Sequence, residues 1–470
     1  MGTGAYGAGA FSGSFMGEGK TLSALTESGL TEKQLFVDFG LFHMVAAFAL
    51  LPCYFYFGPE FKILIIPYVL YLLFSAKACY FPAILVHFMP GSVVSQAILI
   101  ACAVLPLIHW EKLKRLQLHR LYVFAATPLS MVLLTGIYHF AFLGHAWLKV
   151  AGFLSYFLGF FAFFYGAVIA AHFDNVSMQR VLWVLLVPLL MQVAGLFDIT
   201  IRYTFLTIPL FIMLSAAPFF IKGTAHFFRS ILFYPVLFMA LRAAGGLTFT
   251  GLSSALVGFG LLLGHSYAHG TLKRVPLTRF FAVGSVLILV YVTASISDLQ
   301  DSKRAFVGAQ SSSALHNLIN EFQLKAFGDR GVLWRGTLEV LGREGTIYPP
   351  STPPQVSYVT LDGALMEVTF GAHNVFLELV RIYGFGVGIA GIFVYLWIFS
   401  HVGRAFSSGK IDQSVALLGA ALLGTGFMGG LVGQFVLMNN FSLLLMGLAG
   451  VFCGLTRRER PIDRGTCTPS

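Results

Sequence analysis

The sequence predicts an all-α integral membrane protein, a polytopic bundle of about 12–13 transmembrane helices with one large, partly helical loop outside the cytoplasm. Three observations lead there. Of the 470 residues 57% are apolar and 11% charged, against roughly 45–50% and 25% in an ordinary soluble domain. So few charges cannot cover a water-soluble globule of this size, which excludes a soluble enzyme, a disordered tail and a nucleic-acid module. The apolar residues fall in runs long enough to span a bilayer, and the Lys and Arg residues fall between the runs with a strong bias in side.

Taken in order, residues 1–34 are rich in Gly, Ser and Thr and lack the apolar core of a signal peptide, so they read as a flexible tail. Residues 35–294 form an N-terminal transmembrane bundle, with apolar runs at 36–57, 61–74, 93–108, 121–143, 147–171, 181–197, 203–220, 225–241, 247–263 and 280–294. A large loop occupies 295–374, in which 317–327 and 330–341 place apolar residues at helical spacing and 348–354 is a Pro-rich turn. Residues 375–456 return to the membrane as runs at 375–398, 415–437 and 441–455, and 457–470 is a basic tail. The five cysteines (Cys53, Cys79, Cys102, Cys453, Cys467) have no metal-ligand or disulfide spacing and read as packing residues.

The net charge of +10 maps onto topology. With alternate crossings, one side receives Arg457, Arg458, Arg460, Arg464, Arg404, Lys410, Lys273, Arg274, Arg279, Lys222, Arg229, Arg180, Lys112, Lys114, Arg115, Arg120 and Lys62. The short loops opposite hold Lys77, Lys149, Arg202 and Arg242. The basic side is therefore expected to be cytoplasmic, and the large loop lies on the other side.

Ionisable residues at the edge of such a bundle are costly without a partner or substrate, so they form the short list for function. Arg202 begins one span and Arg242 lies between two. Each either snorkels or pairs with a carboxylate such as Asp198, or offers a guanidinium fork to a phosphate. In the loop, Arg330 and Trp334 are one helical turn apart, with Arg335 and Glu339 beside them, a pattern that also fits an amphipathic surface helix. His373 and Asn374 end the loop and lead straight into a span, where Glu378 and Arg381 have the spacing of an i, i+3 ion pair. No HExxH, CxxC, P-loop or dinucleotide-binding glycine motif is present, and no metal or cofactor is expected.

The run His373-Asn374-Val375-Phe376-Leu377-Glu378, followed by Tyr383-Gly384-Phe385-Gly386, resembles the "HN-x-x-L-E…G-x-x-G" signature of the O-antigen polymerase and O-antigen ligase superfamily. Arg330 with Trp334 is similar to that family's "R-x-x-x-W" in its periplasmic loop. Arg242 falls where the family carries "S-R-G", although the segment here reads Leu-Arg-Ala-Ala-Gly-Gly and Arg202 remains an alternative match. The resemblance covers roughly 241–455. It implies a bacterial inner-membrane glycosyltransferase of the GT-C type, multi-pass, with its site facing the periplasm and no metal. Its partners would be an undecaprenyl-diphosphate-linked oligosaccharide donor, a glycan or lipid A-core acceptor, the lipid bilayer and, conceivably, a chain-length regulator. His373 would be the catalytic base, with Arg242, Arg330, Arg202, Arg335, Asn374, Glu378 and Trp334 around the substrate. Polymerase and ligase share these motifs. Two other classes stay open: a transporter or flippase for a lipid-linked or anionic solute, which predicts paired repeats and ionisable residues at mid-depth, and a non-catalytic scaffold, which leaves these residues scattered in space.

Overall fold

The structure, a computed structural model, describes residues 103–144, 157–171, 249–270, 329–350, 353–359, 365–368, 374–408, 411, 413–432 and 439–458. The expected spans at 36–57, 61–74, 181–197, 203–220, 225–241 and 280–294, the loop helix at 317–327 and both tails lie outside the described residues, apart from the first two residues of the basic tail. The described part is predominantly helical. Its elements are α1 (Trp110–Arg115), α2 (His119–Leu143), α3 (Ala162–Ala170, entered through a 3₁₀ turn at Gly159–Phe161), α4 (Phe249–Ala268), α5 (Asp329–Glu344), β1 (Val356–Val359), β2 (Leu365–Val368), α6 (Val375–Ser407), α7 (Gln413–Val432) and α8 (Asn439–Arg458).

The all-α expectation needs one correction, because β1 and β2 form an antiparallel ladder in the large loop with Val356 opposite Val368 and Val359 opposite Leu365. Val356, Tyr358 and Val359 are residues that favour strands, and pairing satisfies backbone groups that an irregular loop would leave to water.

Two of the described helices, α2 and α6, are long and apolar enough to cross a membrane. With 25 residues, α2 runs for about 37 Å at 1.5 Å per residue. Its hydroxyls are satisfied within the helix: Thr127, Ser130 and Thr135 donate to the carbonyls of Val123, Ala126 and Met131 at 3.3, 2.8 and 2.8 Å. Its outward face is nevertheless apolar, with Leu134 66% and Phe142 75% exposed. Such a surface is a liability in water and fits a hydrocarbon surround.

Close backbone approach holds the helices together. A Cβ on Gly450 of α8 would run into the Phe163 carbonyl oxygen of α3, and one on Gly166 of α3 into the Gly447 carbonyl oxygen of α8. Between α4 and α7, a Cβ on Gly424 would meet the Ser254 carbonyl oxygen at 2.3 Å. Both contacts are the small-residue packing that membrane helices use where apolar burial supplies no drive between them. An aromatic cluster adds to α2 and α3: Tyr122 meets Phe161 and Phe164 edge-on at 5.3 and 5.0 Å and donates to the Ala103 carbonyl at 2.6 Å.

The expectation of one continuous span at 375–398 is also corrected. Within α6, Gly384 has φ 75° and ψ 172°, so the element is two helices, 375–383 and 385–407, joined at a break. The first half folds back along the second. A Cβ on Gly388 would meet the Leu379 carbonyl oxygen at 2.6 Å, Gly391 faces the Leu379 side chain, and Phe376 lies edge-on to Tyr395 at 5.8 Å. The second half alone measures about 34 Å, enough for a hydrocarbon core of roughly 30 Å, whereas the first measures about 13 Å.

Candidate functional site

Helix α5 carries the Arg330 and Trp334 motif. Its buried side is Leu333, Thr337, Val340 and Leu341, with the Thr337 hydroxyl donating to the Leu333 carbonyl at 2.8 Å. Arg330 stands in the first turn of α5; Trp334, one turn on, is half-buried and Arg335 is exposed. The helix packs against both β1 and α6. The loop motif and the membrane-entry motif, far apart in sequence, are therefore carried by neighbouring elements.

The chain leaving α5 forms a strap, residues 345–350, laid across the break in α6. Phe385 N–H donates to the Thr346 carbonyl at 2.7 Å and Gly386 N–H to the Ile347 carbonyl at 2.9 Å. These are amides at the start of a new helix, which have no intrahelical acceptor. The strap supplies that acceptor, which is what makes a break tolerable inside an apolar bundle. The Thr346 hydroxyl in turn donates to the Tyr348 carbonyl at 2.6 Å, holding the strap's own turn.

At the other end of the half-helix, Asn374 is buried and extended and caps α6: its Oδ1 accepts from Phe376 N–H at 2.9 Å and Leu377 N–H at 3.2 Å. Its Nδ2 donates to the Leu431 carbonyl of α7 at 3.1 Å. Tyr395, on the second half of α6, donates to the Gly426 carbonyl of the same helix α7. The fold-back thus sets Asn374 beside the middle of the second half of α6, about 10–15 Å along it from the break. The sequence places Asn374 at the rim of the bundle; the doubling of α6 sets it within. Its cap also occupies two of the amides that an anion would otherwise use at a helix N-terminus.

Glu378 and Arg381 form the i, i+3 pair that their spacing suggests. Both side chains are buried, with relative exposures of 4% and 5%. Arg381 Nε donates to Glu378 Oε2 at 3.0 Å, a second guanidinium nitrogen pairs with Glu378 Oε1, and Nη1 donates to the Pro354 carbonyl at 2.8 Å. The last bond was not foreseeable from spacing, since its partners are 27 positions apart and on different elements. Gly384, Gly386 and Gly388 alternate at the break, but glycines are common in membrane helices and their run alone does not mark it.

His373, Arg202 and Arg242 lie outside the described residues, as does the side chain of Arg330. Of the expected site residues the structure describes the side chains of Trp334, Arg335, Asn374 and Glu378: α5, which carries the first two, packs against α6, which carries Glu378 and is capped by Asn374. Among the described residues no three His, Cys, Asp or Glu side chains gather as a metal site requires. Compared with known proteins, the chain matches no family model and no curated sequence.

Proposed function

We propose that the protein is a multi-pass membrane glycosyltransferase of the bacterial inner membrane, which transfers or polymerises undecaprenyl-diphosphate-linked glycan at the periplasmic face. The observation that carries this reading is the packing of α5, bearing Arg330, Trp334 and Arg335, against the broken helix that His373 and Asn374 introduce. Support for the membrane part comes from the apolar outer face of α2, the glycine-mediated helix contacts and the two helices of spanning length.

In the proposed reaction the bond from the donor's anomeric carbon to the diphosphate oxygen breaks and a bond from that carbon to an acceptor hydroxyl oxygen forms. The lipid diphosphate leaves with the bonding electrons, and Arg330, with Arg242 or Arg202, balances its charge. His373 takes the hydroxyl proton, as an imidazole that titrates near neutrality can. The acceptor is a second glycan in a polymerase and lipid A-core in a ligase.

Complementation of a polymerase-null and a ligase-null strain tests this. Glycan ladders restored in the first, or capped lipid A-core in the second, identify which enzyme it is. Loss of a general base lowers rate by about 10²–10⁴-fold, so His373→Ala should abolish visible product in whichever host responds. Unchanged product in both His373→Ala and Arg330→Ala would remove the mechanism.

The broken helix favours one other reading. Transporters use discontinuous helices to bring polar groups into the bundle, and Asn374, which opens the half-helix, is buried against α7. A transporter would restore a flippase-null strain and neither of the other two.

A further inference from the structure

Arg381 does more than neutralise Glu378. Its guanidinium is buried on the half-helix 375–383, and one of its nitrogens reaches the Pro354 carbonyl, in the segment between the strap and β1. The strap, on the other side of that segment, covers the break at Gly384. One stretch of the loop therefore holds both sides of the break: the half-helix through Arg381 and Pro354, and the start of the second half through the carbonyls of Thr346 and Ile347.

We propose that Arg381 is a positioning residue, a clamp that keeps the loop seated on the half-helix and thereby fixes where Asn374 stands relative to α5. The role in a reaction rests on the glycosyltransferase reading; the clamp itself does not. The chemistry suits the task. An arginine presents a planar fork that can serve a carboxylate and a carbonyl together, while a lysine ammonium is a point charge on a flexible stem. Two guanidinium nitrogens on the two oxygens of Glu378 and a third on the Pro354 carbonyl are a set that only arginine supplies.

Removing Arg381 alone would take the cationic partner from the buried Glu378 carboxylate, which is destabilising. Two other variants separate clamp from fold. Arg381→Lys keeps a charge for Glu378 and loses the fork. The double variant Glu378→Leu with Arg381→Met replaces the pair by apolar side chains of similar size, a change that buried pairs often tolerate. Both are made in the full chain. Hydrogen–deuterium exchange in detergent reads the clamp through the amides of Phe385 and Gly386 and of β1; glycan product in the responsive null strain reads the reaction.

The expected result for the double variant is exchange at those amides faster by roughly tenfold or more, the equivalent of one charge-assisted hydrogen bond, an unchanged melting temperature, and product reduced by a similar factor. The lysine variant should fall between wild type and the double variant. Unchanged exchange in both variants overturns the clamp. Faster exchange with full product overturns the positioning role. If the wild-type chain restores no glycan in either host, the enzyme reading falls and the positioning role with it, while the exchange measurement still decides whether the clamp exists.

Discussion

Gly384 is the residue on which the shape of α6 turns. Its φ of 75° lies in the left-handed region, and a Cβ there would sit 2.5 Å from the Tyr348 carbonyl oxygen and 2.7 Å from that of Thr346. Backbone strain of this kind costs of order 1–3 kcal/mol in a non-glycine residue, and the contact with the strap adds to it. Gly384→Ala should therefore lower the melting temperature in detergent clearly. Gly403→Ala, in the same helix with nothing within 4 Å of its Cβ, should be neutral or stabilising by up to about 1 kcal/mol. Equal effects at the two positions would mean that the break is not strained. Asn374→Ala should lose about 1 kcal/mol through the cap, and more through the stranded Leu431 carbonyl. Its helix-starting place was readable from the chain, since Asn stands directly before an apolar run. So was the pairing of Glu378 with Arg381. The break was not, because glycines are common in membrane helices and only the strap's carbonyls show why Gly384 and Gly386 both lack a side chain.

Among the elements, two helix pairs make the same demand by different glycines. Gly450 of α8 touches the Phe163 carbonyl and Gly454 that of Ala167, while Gly424 of α7 touches that of Ser254. Leucine at Gly450 or Gly424 must push its pair apart, and overpacking of this sort costs typically 1–3 kcal/mol. Gly260→Leu, where a Cβ meets nothing within 4 Å, is the control. Melting temperature in detergent reads the difference, and a Gly450 variant as stable as the control would show that α3 and α8 are not so closely packed. Gly450 and Gly454 are four residues apart, on one face of α8. The partner of that face was not legible, because spacing on one helix says nothing about which other helix supplies the facing backbone. The β1–β2 ladder was missed for a different reason: Val356 to Val359 follows directly on prolines, and a Pro-rich stretch reads as turn while only tertiary pairing reveals the strand.

At the scale of the whole molecule, the described residues combine an apolar core with buried polar side chains and a surface of exposed large apolar ones. Glu378, Arg381, His401, Ser254 and Thr425 are buried, while Phe393 and Phe427, on α6 and α7, are more than half exposed. The described contacts also sort the bundle into two ends. Arg457 of α8 meets His401 of α6 at 2.6 Å, and His265 of α4 lies against Phe406 of α6 at 4.7 Å, so the last turns of α4, α6 and α8 share one end. Arg404 belongs to that end. The strap and α5 cover the opposite end, at the break. Since Arg404, Arg457 and the lysine and arginines that follow α4 fall in loops the charge bias assigns to the cytoplasm, α5 should face outward. Cysteines introduced at Gly342, exposed on α5, and at Ser408, just past α6, in a chain otherwise free of cysteine, put this to the test. A membrane-impermeant maleimide applied to cells with a permeable outer membrane should label Gly342→Cys at least about tenfold faster than Ser408→Cys, the bilayer barring access to the second. Permeabilising the inner membrane should bring the two rates together. Equal labelling in intact cells would place both ends in one compartment, and the multi-pass reading would fall with the periplasmic site that depends on it.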